Sequence, residues 1–180
     1  MDFIIKKSLL NQILVLLTDK GYLKCPDYDI SILFEEVGKF SCKIKRPTYS
    51  KREFIIKYPE KNKDRAFNNM LMEYLFNQYD FELKEWSDET GIPLLDTCIL
   101  FSILHEFGHI IDYINRLNNG GDLVDRAEMN ELSKYWEVSK IEDINLRFTR
   151  YRQIDNEANA DELAMMIMER HMLELASILQ

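Results

Sequence analysis

The stretch Ile99-Leu100-Phe101-Ser102-Ile103-Leu104-His105-Glu106-Phe107-Gly108-His109-Ile110-Ile111 decides how the rest of the chain is read. Its apolar residues cover almost every face of a helix, and a helix apolar nearly all round is buried. Two histidines and a glutamate inside such a helix need strong partners, because burying a polar group without one is costly. The histidines stand four apart and so share one face, one turn from each other. Both imidazoles then reach a single ion at the zinc–nitrogen distance of about 2.0–2.1 Å. Glu106 is rotated off that edge but stays beside the ion's open position, where a carboxylate accepts the proton of an attacking water. His105-Glu106-Phe107-Gly108-His109 is therefore read as an His-Glu-x-x-His zinc motif.

A catalytic zinc takes three protein ligands and keeps one position open, so a third ligand is required. A metzincin arrangement fails, because Asp112 and Asn115 occupy the positions of its glycine and its next ligand. His171 has the right chemistry. The remaining source is a carboxylate from Asn156-Glu157-Ala158-Asn159-Ala160-Asp161-Glu162. On one helix Asp161 lies a turn beyond Glu157 on the same face, so either could be the ligand. With Glu157 bound to the ion, Asp161 is placed to accept the outer N–H of a ligating histidine and fix its tautomer. His171 lies 14 residues beyond Glu157, about 21 Å along an unbroken helix, and cannot share the ion.

The pairing of His105-Glu106-x-x-His109 with Asn156-Glu157-x-x-x-Asp161 resembles the gluzincins. That likeness implies Glu157 as third zinc ligand and Asp161 as the residue orienting the first histidine. Glu157-Ala158-Asn159 followed by Leu163-Ala164-Met165-Met166 resembles the ImmA/IrrE family of cytoplasmic metallopeptidases. The run from His105 to Asp112 with the later Asn156-Glu157-Ala158 also resembles the catalytic domain of anthrax lethal factor. That second likeness implies Tyr151, six residues before Glu157, as the hydroxyl donor to the oxyanion of the tetrahedral intermediate; packing at a helix start is the alternative reading for it. The likenesses span residues 99 to 115 and 151 to 169. They imply a zinc metalloendopeptidase acting on a protein or peptide, with Glu106 as general base. By analogy with zincins, the sheet near residues 41 to 58 would offer an edge strand to an extended peptide.

Outward from the motif, the periodicity predicts a helix-rich α+β fold with a small antiparallel sheet, in one domain over residues 1–180. Within it, 1–40 are read as N-terminal helices, 41–86 as sheet and helix, and 92–180 as zinc-binding helices. Helices are expected over 3–19, where Ile5, Leu9, Ile13, Leu16 and Leu17 recur at helical spacing, and over 28–37, with Ile30, Leu33, Phe34 and Val37 on one face. Ser41–Tyr49 and Glu53–Tyr58 read as strands bounded by Pro47 and Pro59. A helix follows from Asp64 to about Tyr79, then a strand or loop over Phe81–Trp86 and a break at residues 87–91. The motif helix is expected over Ile92–Leu117. Another is expected over Asp125–Val138, with Asp125 and Glu128 in capping-box positions, and the last over Asp155–Leu179.

Composition narrows the function classes. The 180 residues are 46% hydrophobic, enough to build a core, which excludes disorder as the overall class. Twenty-three Lys and Arg against 31 Asp and Glu leave a net charge of −8, so a protein that wraps nucleic acid over its whole surface is not expected. Residues 1–65 carry 14 basic and 9 acidic side chains, whereas 66–180 carry 9 and 22, and ten of the basic ones lie between Lys39 and Arg65 against three acids. Segment 39–65 is thus a candidate docking surface for an acidic partner, in which case the chain could be a non-catalytic zinc-containing regulatory protein. The plainer alternative is strands whose lysines prevent edge-to-edge pairing. Cys25, Cys42 and Cys98 are odd in number and form no Cys-x-x-Cys pair, so reduced thiols are expected. Asn11 and Gln12 interrupt the apolar run Leu9–Leu17, so no secretory signal is read there, and no run of about 18 uninterrupted apolar residues occurs. A soluble, cytoplasmic protein is the expectation.

Overall fold

The structure is a computed structural model that describes residues 5–37, 41–44, 50–59, 65–120 and 133–180. It is helix-rich α+β, arranged around one central helix. In chain order the elements are α1 (Lys7–Asp19), β1 (Asp29–Glu36), β2 (Ser41–Ile44), β3 (Lys51–Tyr58), α2 (Arg65–Thr90), α3 (Leu94–Gly120), α4 (133–139), α5 (Ile144–Arg152), α6 (Asp155–Arg170) and α7 (Met172–Leu179). Helix α3 is the motif helix, and it is buried from Leu100 through Gly108 without interruption. It is long and apolar enough to cross a membrane by composition alone, but 78% of its most apolar window lies inside this fold.

The sheet packs on one side of α3. Along β3 the buried and partly exposed residues alternate, placing Arg52, Phe54, Ile56 and Tyr58 inward as a strand's period of two requires. Phe54 meets the ring of Tyr113 on α3 edge-on at 5.5 Å, and Phe34 of β1 meets Phe107 at 6.2 Å. Arg52 is tolerated on the buried face because its guanidinium stacks 4.2 Å over Tyr28.

Three sequence expectations about this region are corrected. Residues 28–37 are not a helix: Asp29–Glu36 is a strand that pairs with β3 in parallel, residue for residue from Asp29 with Lys51 to Glu36 with Tyr58. Ile30, Ile32 and Phe34 pack on the core while Leu33 is 45% exposed, so a period of two wins over the helical one. The sheet is therefore mixed, in the order β1-β3-β2, and only β2 runs antiparallel to β3. The first strand expected over 41–49 is β2 up to Ile44, and 45–49 lie outside the described residues. Phe81–Trp86 is neither strand nor loop but part of α2, which bends at Tyr79 (φ −136°, ψ 26°) and continues to Thr90. Leu83 and Trp86, three apart, are both buried, and the Trp86 indole N–H donates to the Met168 carbonyl at 3.1 Å, anchoring this half of α2 to α6. The chain stops only at Gly91, whose φ of +70° suits a glycine after a helix.

The C-terminal helix expected as one piece is two. His171 (φ −124°, ψ 31°) ends α6, and α7 turns to bury Leu175 and Ala176 in the core. Of the helix expected over 125–138, residues 133–139 are helical, and Asp125 and Glu128 lie outside the described residues. Residues 144–152 form a helix that the sequence reading did not foresee. Asp143 starts it by accepting from the backbone N–H groups of Asn145 and Leu146, both at 2.9 Å.

Helices α3 and α6 cross in close contact. A Cβ placed on Gly108 would stand 2.7 Å from the Ala160 carbonyl oxygen and 2.9 Å from its Cα, inside any normal contact. One turn along, Asp112 and Arg116 of α3 pair with each other at 2.7 Å and reach Asn159 and Asn156 of α6. Gly108→Ala should cost about 1–3 kcal/mol in chemical denaturation, because backbone must yield to the added methyl. Gly120→Ala, which meets nothing within 4 Å, should be neutral or slightly stabilising.

Candidate metal centre

The close crossing at Gly108 brings the polar edge of α3 against the first two turns of α6. His105 and His109 are one turn apart on α3, with ring centroids 4.6 Å apart and planes at 78°. Glu157 enters between them from α6: its Oε2 is 3.2 Å from His105 Nε2 and its Oε1 is 3.7 Å from His109 Nε2. One ligand atom from each of the three lies within 4.8 Å of the others, a group that can hold a metal ion. His171, away from it, shares a 3.1 Å hydrogen bond with the Tyr22 hydroxyl.

Asp161, one turn after Glu157, lies on the far side of the His105 ring, with Oδ1 2.9 Å from Nδ1. A carboxylate at Nδ1 favours a proton there and leaves Nε2, on the Glu157 side, as the nitrogen that would bind an ion. Of the two carboxylates proposed as ligand, Glu157 is the one between the histidines. Arg152, the last residue of α5, donates to Asp161 Oδ1 at 2.6 Å and holds Nη1 3.5 Å from Glu157 Oε2. Tyr135 of α4 donates its hydroxyl to Glu157 Oε1 at 3.0 Å, and its ring lies 5.6 Å from that of Tyr151. Tyr151, next to last in α5, lies beside it, 38% exposed as a residue, with its hydroxyl toward Glu157.

Sequence reasoning named His105, Glu106, His109, Glu157, Asp161 and Tyr151, and all six converge here. It missed Arg152, Tyr135 and the backbone of Cys42, whose N–H donates to Glu106. None of the three belongs to a recognisable spacing; they arrive through α4, α5 and β2.

The electrostatics are those of charges gathered out of water. Burial pushes the Glu106 carboxyl up to about 7, raised also by Glu157 and opposed by His105, Arg152 and the Cys42 N–H. Burial would raise Glu157 as well, but His105, His109 and the Arg152 guanidinium gathered around it outweigh that and hold it at about 2. Burial and the neighbouring His105 lower His109 to about 4, which keeps its imidazole neutral as a metal ligand must be. Burial and the nearby Glu157 raise Tyr151, so its hydroxyl stays a donor.

Three observations show that the donor set fits a divalent cation. Glu106, Glu157 and Asp161 are 6%, 2% and 1% exposed and carry three formal negative charges, against which Arg152 supplies one positive; a dication balances the remainder. Glu157 Oε2 and Glu106 Oε2 are buried and have no hydrogen-bond partner. Finally, Arg152 Nη1 is 3.1 Å from Nε2 and 3.4 Å from Nδ1 of His105, so it sits beside the ring between the two nitrogens. A donor in line with Nε2 would stand much farther from Nδ1, so Arg152 leaves the outward face of Nε2, toward Glu157, unblocked. Two histidines and a carboxylate are a common ligand set for zinc in hydrolytic sites.

No protein-family model, no curated protein and no solved structure matches the chain. What can be said of the site therefore rests on its residues.

Elemental analysis of purified variants separates the two carboxylates. Glu157→Ala should lose bound metal almost completely. Asp161→Ala should retain the ligand set and bind about 10–100-fold more weakly. Full metal retention in the first with loss in the second would exchange their roles.

Proposed function

We propose that the chain is a zinc-dependent metallopeptidase of gluzincin type, with His105, His109 and Glu157 as ligands and Glu106 as general base. The observation that carries this reading is Glu106 itself. A structural metal site closes all four positions and has no use for a further buried carboxylate beside it. Here a carboxylate pushed up to about 7 by burial lies in the turn that carries both histidines, with Oε2 free of hydrogen bonds.

Zinc held by the three ligands would supply the Lewis acid that acidifies a water and polarises a peptide carbonyl. The rest falls to the chain. Glu106 takes the proton of the attacking water at Oε2 and returns it to the nitrogen of the departing amine, so that one group serves as base and then as acid. The Cys42 N–H fixes its other end and keeps Oε2 turned to the reacting atoms. Asp161 holds the His105 ring in one tautomer. Tyr151, kept protonated beside Glu157, would serve as donor to a developing oxyanion. The outer position of β2 in the sheet order, beside Glu106, supports an extended peptide lying along that edge.

Among the described residues no specific observation favours the acidic-partner alternative. In the described part of segment 39–65, Lys51 pairs with Glu53, Lys57 pairs with Glu35, and Arg52 is buried over Tyr28. These basic groups are engaged within the sheet and its neighbours.

Glu106→Gln tests the mechanism. It should keep the wild-type metal content and fold while lowering turnover of a quenched peptide library by at least about 10²–10⁴-fold. Turnover retained in Glu106→Gln, or activity that survives full removal of metal by chelator, would overturn the assignment.

A further inference from the structure

Helix α5 is polar and shows its side chains to solvent or half-buries them, with one exception: Arg152 is its single buried residue, 7% exposed. The one buried side chain of this helix is thus a guanidinium and not part of an apolar face. That guanidinium ends among three groups of the metal centre. Nη2 donates to Asp161 Oδ1 at 2.6 Å, Nη1 stands 3.5 Å from Glu157 Oε2, and Nη1 also lies beside the His105 ring. The planar, two-pronged head of an arginine spans two carboxylates in a way that the single ammonium of a lysine does not.

We propose that Arg152 is a positioning residue of the metal centre: it clamps Glu157 and Asp161 at their places on α6, so that the ligand carboxylate and the carboxylate orienting His105 meet α3 in fixed geometry. The proposal rests on the reading of His105, His109 and Glu157 as metal ligands and adds a second layer to it. Two acidic side chains one turn apart on a buried helix face repel each other and would swing apart or outward. Arg152 lies between them and removes that tendency. It also explains why a short polar helix precedes α6 directly: only Gln153 and Ile154 separate the two, and Ile154 is buried at 4% exposure, which sets the end of α5 over the first turn of α6. Arg150, two residues earlier, instead points outward to Gln153 at 3.2 Å, so position 152 and not basic character in general makes the clamp.

The test uses the full chain and Zn²⁺ or Co²⁺ as the probe, with affinity read by competition against a chelating dye and geometry read from the Co²⁺ absorption bands. Wild-type protein must first bind metal; if it does not, the metal reading itself fails, and this proposal with it. Given binding, Arg152→Gln should weaken Zn²⁺ affinity about 10–100-fold and shift or broaden the Co²⁺ bands. Arg152→Lys should recover only part of the loss, and Arg150→Gln should leave both readouts at wild-type values. Wild-type affinity and an unchanged Co²⁺ spectrum in Arg152→Gln would overturn the clamp while leaving the metal site standing. Should Arg152→Gln fail to fold, the double-mutant cycle of Arg152→Lys with Asp161→Asn decides the question. Losses of affinity that are less than additive support a shared clamp, and strictly additive losses overturn it.

Discussion

The fold depends on one close contact, the approach of Gly108 on α3 to the backbone of Ala160 on α6. Helix pairs with side chains at the contact normally stay 8–10 Å apart, and a glycine facing an alanine lets them come to the near end of that range. Only then does a side chain as short as that of Glu157 reach between two histidines, and only then does Asp161 touch the second nitrogen of His105. The same glycine sits inside the metal motif, between Glu106 and His109. Its role there is spatial and not conformational, since α3 runs unbroken through it. The polar contacts among Asp112, Arg116, Asn156 and Asn159 extend the crossing by one turn, where the helices have room for side chains.

Charge is the second constraint. Three buried carboxylates in one cluster would be ruinous in an apolar interior without compensation. The chain meets the cost in steps that use different elements: His105 and His109 from α3, Arg152 from α5, a phenol from α4 and a backbone N–H from β2. Trp86, Phe54 and Phe101 are among the large side chains wholly buried in the core. The centre is thus held by a shell in which each donor comes from a different segment, while the core behind it carries the packing energy.

Much of this was legible in the sequence, and the boundary of legibility has a physical cause. The motif helix was readable because its periodicity is local and long, and Glu157 with Asp161 because a one-turn spacing repeats the geometry of the histidines. The strand at residues 29–36 was not, because Ile30, Leu33, Phe34 and Val37 satisfy a helical period as well as Ile30, Ile32 and Phe34 satisfy a strand's. Over eight residues the choice falls to the partner, and β3 lies in a part of the chain more than twenty residues away. Likewise the second half of α2 is helical because Leu83 and Trp86 find α6 and the core, not because of its own composition. Arg152 is the clearest case: Arg150 and Arg152 flank Tyr151 symmetrically in the sequence, and only the pitch of an unforeseen helix sends one to solvent and the other into the centre.

The centre also joins parts of the chain that nothing local would hold together. His109 and Glu157 are separated by 47 residues, and closing a flexible loop of that length costs about 3 kcal/mol of chain entropy. Arg152, Glu157 and Asp161, by contrast, lie within ten residues, so their clamp closes almost no loop. The two kinds of restraint divide the work. The arginine organises the acids on α6 among themselves, and the α3–α6 packing, to which a coordinated cation would add, fixes that helix to the histidines. Because an unfolded chain seldom gathers the three ligands, the free energy of coordination would add to the free energy of folding. The metal would then stabilise the same crossing that Gly108 makes possible, so that the geometry of the site and the stability of the fold rest on one contact.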